Sequence, residues 1–150
     1  MEELNVTASA VISFAEKLED TSSELYEELA ERFAAHKETF LAFAKESRKN
    51  KVLVTRTYQE TITDALEACF SFAGLNLNDY AVQKVSAEGM NCPDALQMAV
   101  ELEEKASRFY SDVARRSHSL LATIPGAFRR VAEVRNKRKL KLQSLLKQGH

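Results

Sequence analysis

The stretch Leu102-Glu-Glu-Lys-Ala-Ser-Arg-Phe-Tyr110 restates Leu18-Glu-Asp-Thr-Ser-Ser-Glu-Leu-Tyr26, and this echo limits what the chain can fold into. Each copy places a glutamate seven residues before a tyrosine. Seven residues are nearly two helical turns, so Glu19 with Tyr26, and Glu103 with Tyr110, share a side of their helices. At the same offset Ala15/Ala99, Leu18/Leu102, Ser23/Ser107, Ala30/Ala114 and Arg32/Arg116 are also identical. A second and weaker repeat links Phe40/Phe128, Ala44/Ala132, Lys49/Lys137 and Lys51/Lys139. The chain therefore divides into two related halves of two helices each.

The rest of the sequence suits that division. With 150 residues and 45% hydrophobic content the chain is long enough for one cored domain and too short for two, so residues 1–150 are read as a single unit. Four Gly, two Pro and no Trp leave little material for turns and point to an all-α fold. Helix A is expected over 8–34 behind the N-cap Thr7, with Val11, Phe14, Ala15, Leu18, Ser22, Leu25, Leu29 and Phe33 recurring at three- and four-residue steps. Glu16, Asp20, Glu24, Glu27 and Glu31 take the opposite arc, and Glu19 alone falls at the apolar edge. Helix B follows the Ala-Ala-His-Lys link and is expected to run to Phe72, completing repeat 1 over 8–72. Its apolar end, Ile62, Leu66, Phe70 and Phe72, either overhangs to make a homodimer contact or folds back on its own domain. Residues 73–92 form a connection far longer than an antiparallel hairpin needs, but sufficient to run the length of a bundle. Repeat 2 covers 93–147: helix C over 93–116, capped by Asn91 or Cys92 with Pro93 in first position, and helix D over 124–147.

Four helices, a duplication, a central crossover and a Glu-x6-Tyr in the first helix of each half resemble the rubrerythrin-type ferritin-like domain over essentially the whole chain. The resemblance implies a four-helix bundle around a di-iron site, with one Glu from each of two helices and a Glu-x-x-His from each of the other two. Glu19 and Glu103 match the single glutamates. Aligning Phe40 and Phe128 with the family pattern puts the Glu-x-x-His motifs at Ser47-x-x-Asn50 and Arg135-x-x-Arg138, so these four ligand positions are replaced. Glu46 and Glu133 are expected to point away from that face, His36 and His118 to sit at helix ends, and His150 is terminal. The paired Cys-x-x-Cys motifs of a rubredoxin module are absent; Cys69 and Cys92 are read as reduced thiols.

A guanidinium has no lone pair to offer and stays charged, whereas iron needs anionic oxygen and imidazole donors. Two buried carboxylates each cost several kcal/mol unless paired, and two arginines at former metal positions neutralise them one for one. The expectation is a cation swap, guanidinium for iron, with Tyr26 and Tyr110 as hydrogen-bond partners of this polar core, as the family's geometry implies. Lys51 and Lys139 fall on the same side, with stems long enough to reach the bundle edge. The plainer alternatives are that Glu19 and Glu103 are boundary residues reaching water, and that Arg135 and Arg138 extend a basic face of helix D.

The functional expectation is a non-catalytic ferritin-like bundle without cofactor, serving as a structural, dimerising or partner-binding module. The alternative is a rubrerythrin-family oxidoreductase or metal-binding protein with a non-standard or reduced iron site. Arg129, Arg130, Lys137, Lys141 and Lys147 form a basic stretch, but the formal net charge of -1 and the absence of interleaved aromatics argue against a nucleic-acid partner. No apolar run is long enough for a membrane span, and the start Met-Glu-Glu-Leu-Asn lacks the basic residues of a signal peptide, so the expected location is the cytoplasm.

Overall fold

The computed structural model describes residues 5–61, 71–73, 75–81, 87–116 and 123–148. Four α-helices of 25 residues dominate it: α1 (Ala8–Arg32), α2 (Lys37–Thr61), α3 (Cys92–Arg116) and α4 (Thr123–Lys147). Thr7 is extended and its Oγ1 accepts the Ala10 N–H at 3.1 Å, which satisfies one of the orphan donors at the start of α1. Asn91 does the same for α3, its Oδ1 accepting the Asp94 N–H at 2.8 Å. The helix therefore begins at Cys92 and Pro93 takes its second position rather than its first. At the other end of α1 the helix stops at Arg32, two residues short of the expected boundary, and a 3-10 turn, Ala34–His36, leads into α2.

The far end of the first half differs from expectation. The helix does not reach Phe72: α2 is described to Thr61, and Ser71–Ala73 form a strand, β2, antiparallel to β1 (Asn5–Thr7), with Val6 opposite Phe72. Pairing with a strand from near the N-terminus overrides the helical period there, because each strand supplies the backbone partners the other lacks. Residues 62–70, which include Ile62, Leu66 and Phe70 of the expected dimer contact as well as Cys69, lie outside the described residues. His118 and His150 do too.

Side-chain pairings give the helix directions. Glu27 meets Arg48, Asp20 meets Lys51 and Glu16 meets Thr55, so α1 and α2 are antiparallel. Ser107 reaches Ala132 and Glu103 reaches Arg135, which makes α3 and α4 antiparallel; Tyr26 with Glu103 and Tyr110 with Glu19 do the same for α1 and α3. It follows that α2 and α3 point the same way, and the chain must travel the length of the bundle between them.

The described parts of the connection trace that path along α1. Strand β2 lies at its start, Ala81 sits beside Phe14, Lys17, Leu18 and Thr21, and the Ala87 N–H donates to the Glu28 carboxylate at 3.1 and 3.2 Å. From Thr7 to Glu28 this is about 30 Å at 1.5 Å per residue. On the way a 3-10 turn, Leu77–Tyr80, buries Tyr80 against Phe109 and gives its hydroxyl to Asp112 at 2.5 Å. The connection returns to α3 through a turn closed by Met90 N–H to Ala87 C=O at 3.0 Å. There Gly89 takes φ +80°, the value a type II turn demands of its third residue.

The core between the helices is aromatic on both sides of the centre. Tyr26 stacks on Phe40 and meets Phe43 edge-on, while Tyr110 packs against Phe128 and Phe109. Between these clusters the buried side chains become polar.

Candidate functional site

Glu19 from α1, Ser47 and Asn50 from α2, Glu103 from α3, and Arg135 and Arg138 from α4 meet at the centre of the bundle, all of them buried. The spacing places them there. Glu19 and Tyr26 are seven apart, as are Glu103 and Tyr110, and Ser47/Asn50 and Arg135/Arg138 are three apart, so each pair projects from one face of its helix. The two glutamates are 0% exposed, Arg135 is 0% exposed and Arg138 1%. Neither glutamate reaches water and neither arginine extends the basic face of its helix.

Arg135 joins the two halves. Its Nη1 donates to both oxygens of Glu103 at 2.9 Å, and its Nη2 lies 2.8 Å from Glu19 Oε2 and donates to Ser22 Oγ at 2.9 Å. Burial alone would lower the guanidinium pKa, but Glu103 and then Glu19 more than reverse this and hold Arg135 well above its ordinary value. Arg138 caps the cluster: Nε donates to Glu46 Oε1 at 3.0 Å, Nη1 donates to Ser47 Oγ at 2.9 Å, and Glu103 lies 3.5 Å from Nη1. Its guanidinium carbon is 5.5 Å from the Phe43 ring centre and 5.9 Å from that of Tyr26, within cation–π range. Asn50 donates to Glu19 at 3.3 Å.

The tyrosines cross between halves. Tyr26 donates to Glu103 rather than to Glu19 on its own helix, and Tyr110 donates to Glu19 at 2.5 Å. Burial, then the neighbouring carboxylate, pushes both phenols well above their usual pKa, against an opposing pull from Arg138 and Arg135. Each stays a proton donor at any ordinary pH.

Two residues of the site escape the sequence reading. Ser22, counted as a small residue of the apolar face, also donates to its own Leu18 carbonyl at 2.7 Å, which leaves its oxygen turned to Arg135. Its place three residues after Glu19, on the same face, was the available signal. Glu46, expected to point away, reaches Arg138 because a long side chain beside the inward face can bend over its edge; it stays 48% exposed. Glu133 is exposed, and Lys51 pairs at the surface with Asp20 at 3.0 Å.

Two glutamates and two arginines make the buried cluster neutral. At an effective dielectric near 20, a charge contact of about 3 Å is worth about 5 kcal/mol, similar to the effective cost of burying each ion. The cluster's attraction and the cost of burying it are thus of similar size, so it adds little net stability.

The same geometry bears on metals. Among the described residues, the two carboxylates facing the centre, Glu19 and Glu103, converge on a point filled by a guanidinium, and the other groups there are hydroxyls, an amide and a second guanidinium, a set that does not suit iron. Among the described residues no three His, Cys, Asp or Glu side chains gather to hold a metal ion.

The site thus belongs to a four-helix bundle with a closed, charge-neutral polar centre. No protein-family model, curated protein or solved structure matches the chain. No helix among the described residues is long and apolar enough to cross a membrane.

Proposed function

We propose that this chain is a non-catalytic ferritin-like bundle of rubrerythrin type, in which a guanidinium has taken the place of a di-iron centre and the scaffold serves as a structural or partner-binding module. The observation that carries this reading is Arg135, fully buried, with Nη1 2.9 Å from Glu103 and Nη2 2.8 Å from Glu19. Those two glutamates occupy the positions the resemblance assigns to metal ligands, and the cation between them is now covalently part of the chain. The parallel α2 and α3, and a connection that runs along α1, support the ferritin-like reading, since that class carries one long crossover. The proposal includes a cytoplasmic location and a homodimer formed around residues 62–72.

Metal analysis of protein purified without chelator, combined with anaerobic melting in the presence of ferrous iron, tests the main claim. The expected result is substoichiometric iron and no change in melting temperature. About two irons per chain with a stabilising shift would replace this reading with that of an iron oxidoreductase. Sedimentation at high protein concentration tests the dimer; a monomer there would remove it.

A further inference from the structure

Between α2 and α4 lies a groove of about 450 Å³ lined by Thr39, Ala42, Phe43, Glu46, Val134, Lys137, Arg138 and Lys141. Its chemistry is not that of a solvated helix face. Phe43, Ala42 and Val134 make an apolar wall, and Lys137 and Lys141, both exposed, stand without hydrogen-bond or ion-pair partners among the described residues. Arg138 belongs to the lining although it is only 1% exposed.

The orientation of Arg138 is informative. Nε and Nη2 share one edge of the planar guanidinium, an edge that matches a carboxylate or phosphate with two parallel donors. Nε on that edge donates to Glu46 Oε1 at 3.0 Å, while Nη2 is buried and has no hydrogen-bond partner among the described residues. The fork is thus half used. Its single occupant is a carboxylate on a half-exposed side chain that itself lines the groove. A buried cationic donor without an acceptor is costly, and a free oxyanion could fill both positions where Glu46 fills one.

We infer that this groove binds a small organic anion, a carboxylate or a phosphate monoester with a short apolar tail, whose charged end replaces Glu46 on the Nε/Nη2 edge of Arg138. Lys137 and Lys141 supply the charge that draws the anion in, and Phe43 with its neighbours takes the tail. Glu46 is the resident competitor, tethered and therefore present at high local concentration. It swings into water when the ligand enters, at little cost for a side chain already half solvated. Arg138 keeps its Nη1 contacts, to Ser47 at 2.9 Å and Glu103 at 3.5 Å, and the Glu19–Arg135–Glu103 contacts are untouched.

The test uses the full chain with butyrate and butyl phosphate as probes, which share a tail and differ in the charged group. Titrations follow the ¹⁵N-labelled Arg138 Nε–H resonance and the heat of binding. One probe is expected to bind saturably and shift that resonance, and whichever binds at least tenfold more tightly identifies the natural charged group. Glu46→Gln, which removes the competitor at a half-exposed position, should tighten binding about tenfold. Lys137→Ala with Lys141→Ala, both at the surface, should weaken it about tenfold while the melting temperature stays unchanged. The inference is overturned if neither probe saturates even Glu46→Gln, if the Arg138 resonance stays fixed, or if the lysine variant binds as the parent does.

Discussion

Glu19 and Glu103 share a single guanidinium. They lie 84 positions apart in helices that run in opposite directions, yet Arg135 reaches both, Nη1 to Glu103 at 2.9 Å and Nη2 to Glu19 at 2.8 Å. The room for it comes from the other half of the chain. Where α4 brings Arg135 and Arg138 to the centre, α2 brings Ser47 and Asn50, small groups that leave space for two guanidinium groups and hydrogen-bond to the cluster they enter.

Removing the shared cation should be severe. Arg135→Met leaves two buried carboxylates facing each other, and breaking a buried pair from one side commonly costs about 3–5 kcal/mol. Adding Glu103→Gln should recover part of that loss, and adding Glu19→Gln as well should recover more. Urea denaturation of the three variants checks the order; a neutral single variant would mean the cluster contributes nothing.

Ser22→Ala should cost about 1–3 kcal/mol, since it takes an acceptor from a buried charged donor. Ser23→Ala is the control, because its hydroxyl bonds only to the Asp20 carbonyl of its own helix at 3.0 Å. Thermal melting should place the control well above Ser22→Ala. Equal losses would mean the contact with Arg135 carries no weight.

Alkaline pH should unfold the protein through its tyrosines. Tyr26 and Tyr110 have folded pKa values raised well above 10.0, so the native state holds these protons more tightly than the unfolded chain does. Their contribution is fully present below about pH 10 and is lost as pH rises from there towards the folded values, at about 1.4 kcal/mol per pH unit for each phenol. Tyr80, pushed up to about 12 by burial and by Asp112, adds to the loss in the same direction. Stability measured from pH 8 to 12 should hold to about pH 10 and then fall with this slope, and Tyr26→Phe with Tyr110→Phe should flatten the fall. An unchanged slope in the double variant would refute the assignment.

Rebuilding the ligand set tests the proposed ancestry. Ser47→Glu, Asn50→His, Arg135→Glu and Arg138→His together would put four carboxylates and two imidazoles on the same inward surface. Without metal this variant should be less stable than the parent, because its carboxylates have lost both arginines. Ferrous iron should restore stability, since a ligand held only by the folded state stabilises it. Anaerobic melting with and without iron reads the difference; no response to iron would mean the four positions are not arranged as a ligand set.

Much of this was legible before any coordinate. The period of α1 and α3 put Tyr26 and Tyr110 on the side of Glu19 and Glu103 at the apolar edge, and Thr7, with Asn91 or Cys92, marked helix starts, because capping and facing depend on residues within a turn or two of each other. The excess length of the connection likewise announced a crossover. The end of the first half was not legible: a helical reading to Phe72 used local pattern alone, while strand β2 depends on Asn5–Thr7, a partner far away in sequence.

By itself, then, the sequence determined four helices and the faces of the first and third that carry Glu19, Tyr26, Glu103 and Tyr110, while the place of Ser47, Asn50, Arg135 and Arg138 at the centre was an expectation from the resemblance. The tertiary structure decided which of those residues touch. That one arginine serves both glutamates, that each tyrosine bonds across to the other half's glutamate, that Ser22 joins the cluster and Glu46 bends over its rim, all depend on the relative height of neighbouring helices and on side-chain rotamers. A helical period fixes direction around an axis. It carries no information about the height at which one helix stands against the next, and that height is settled only when the whole core packs.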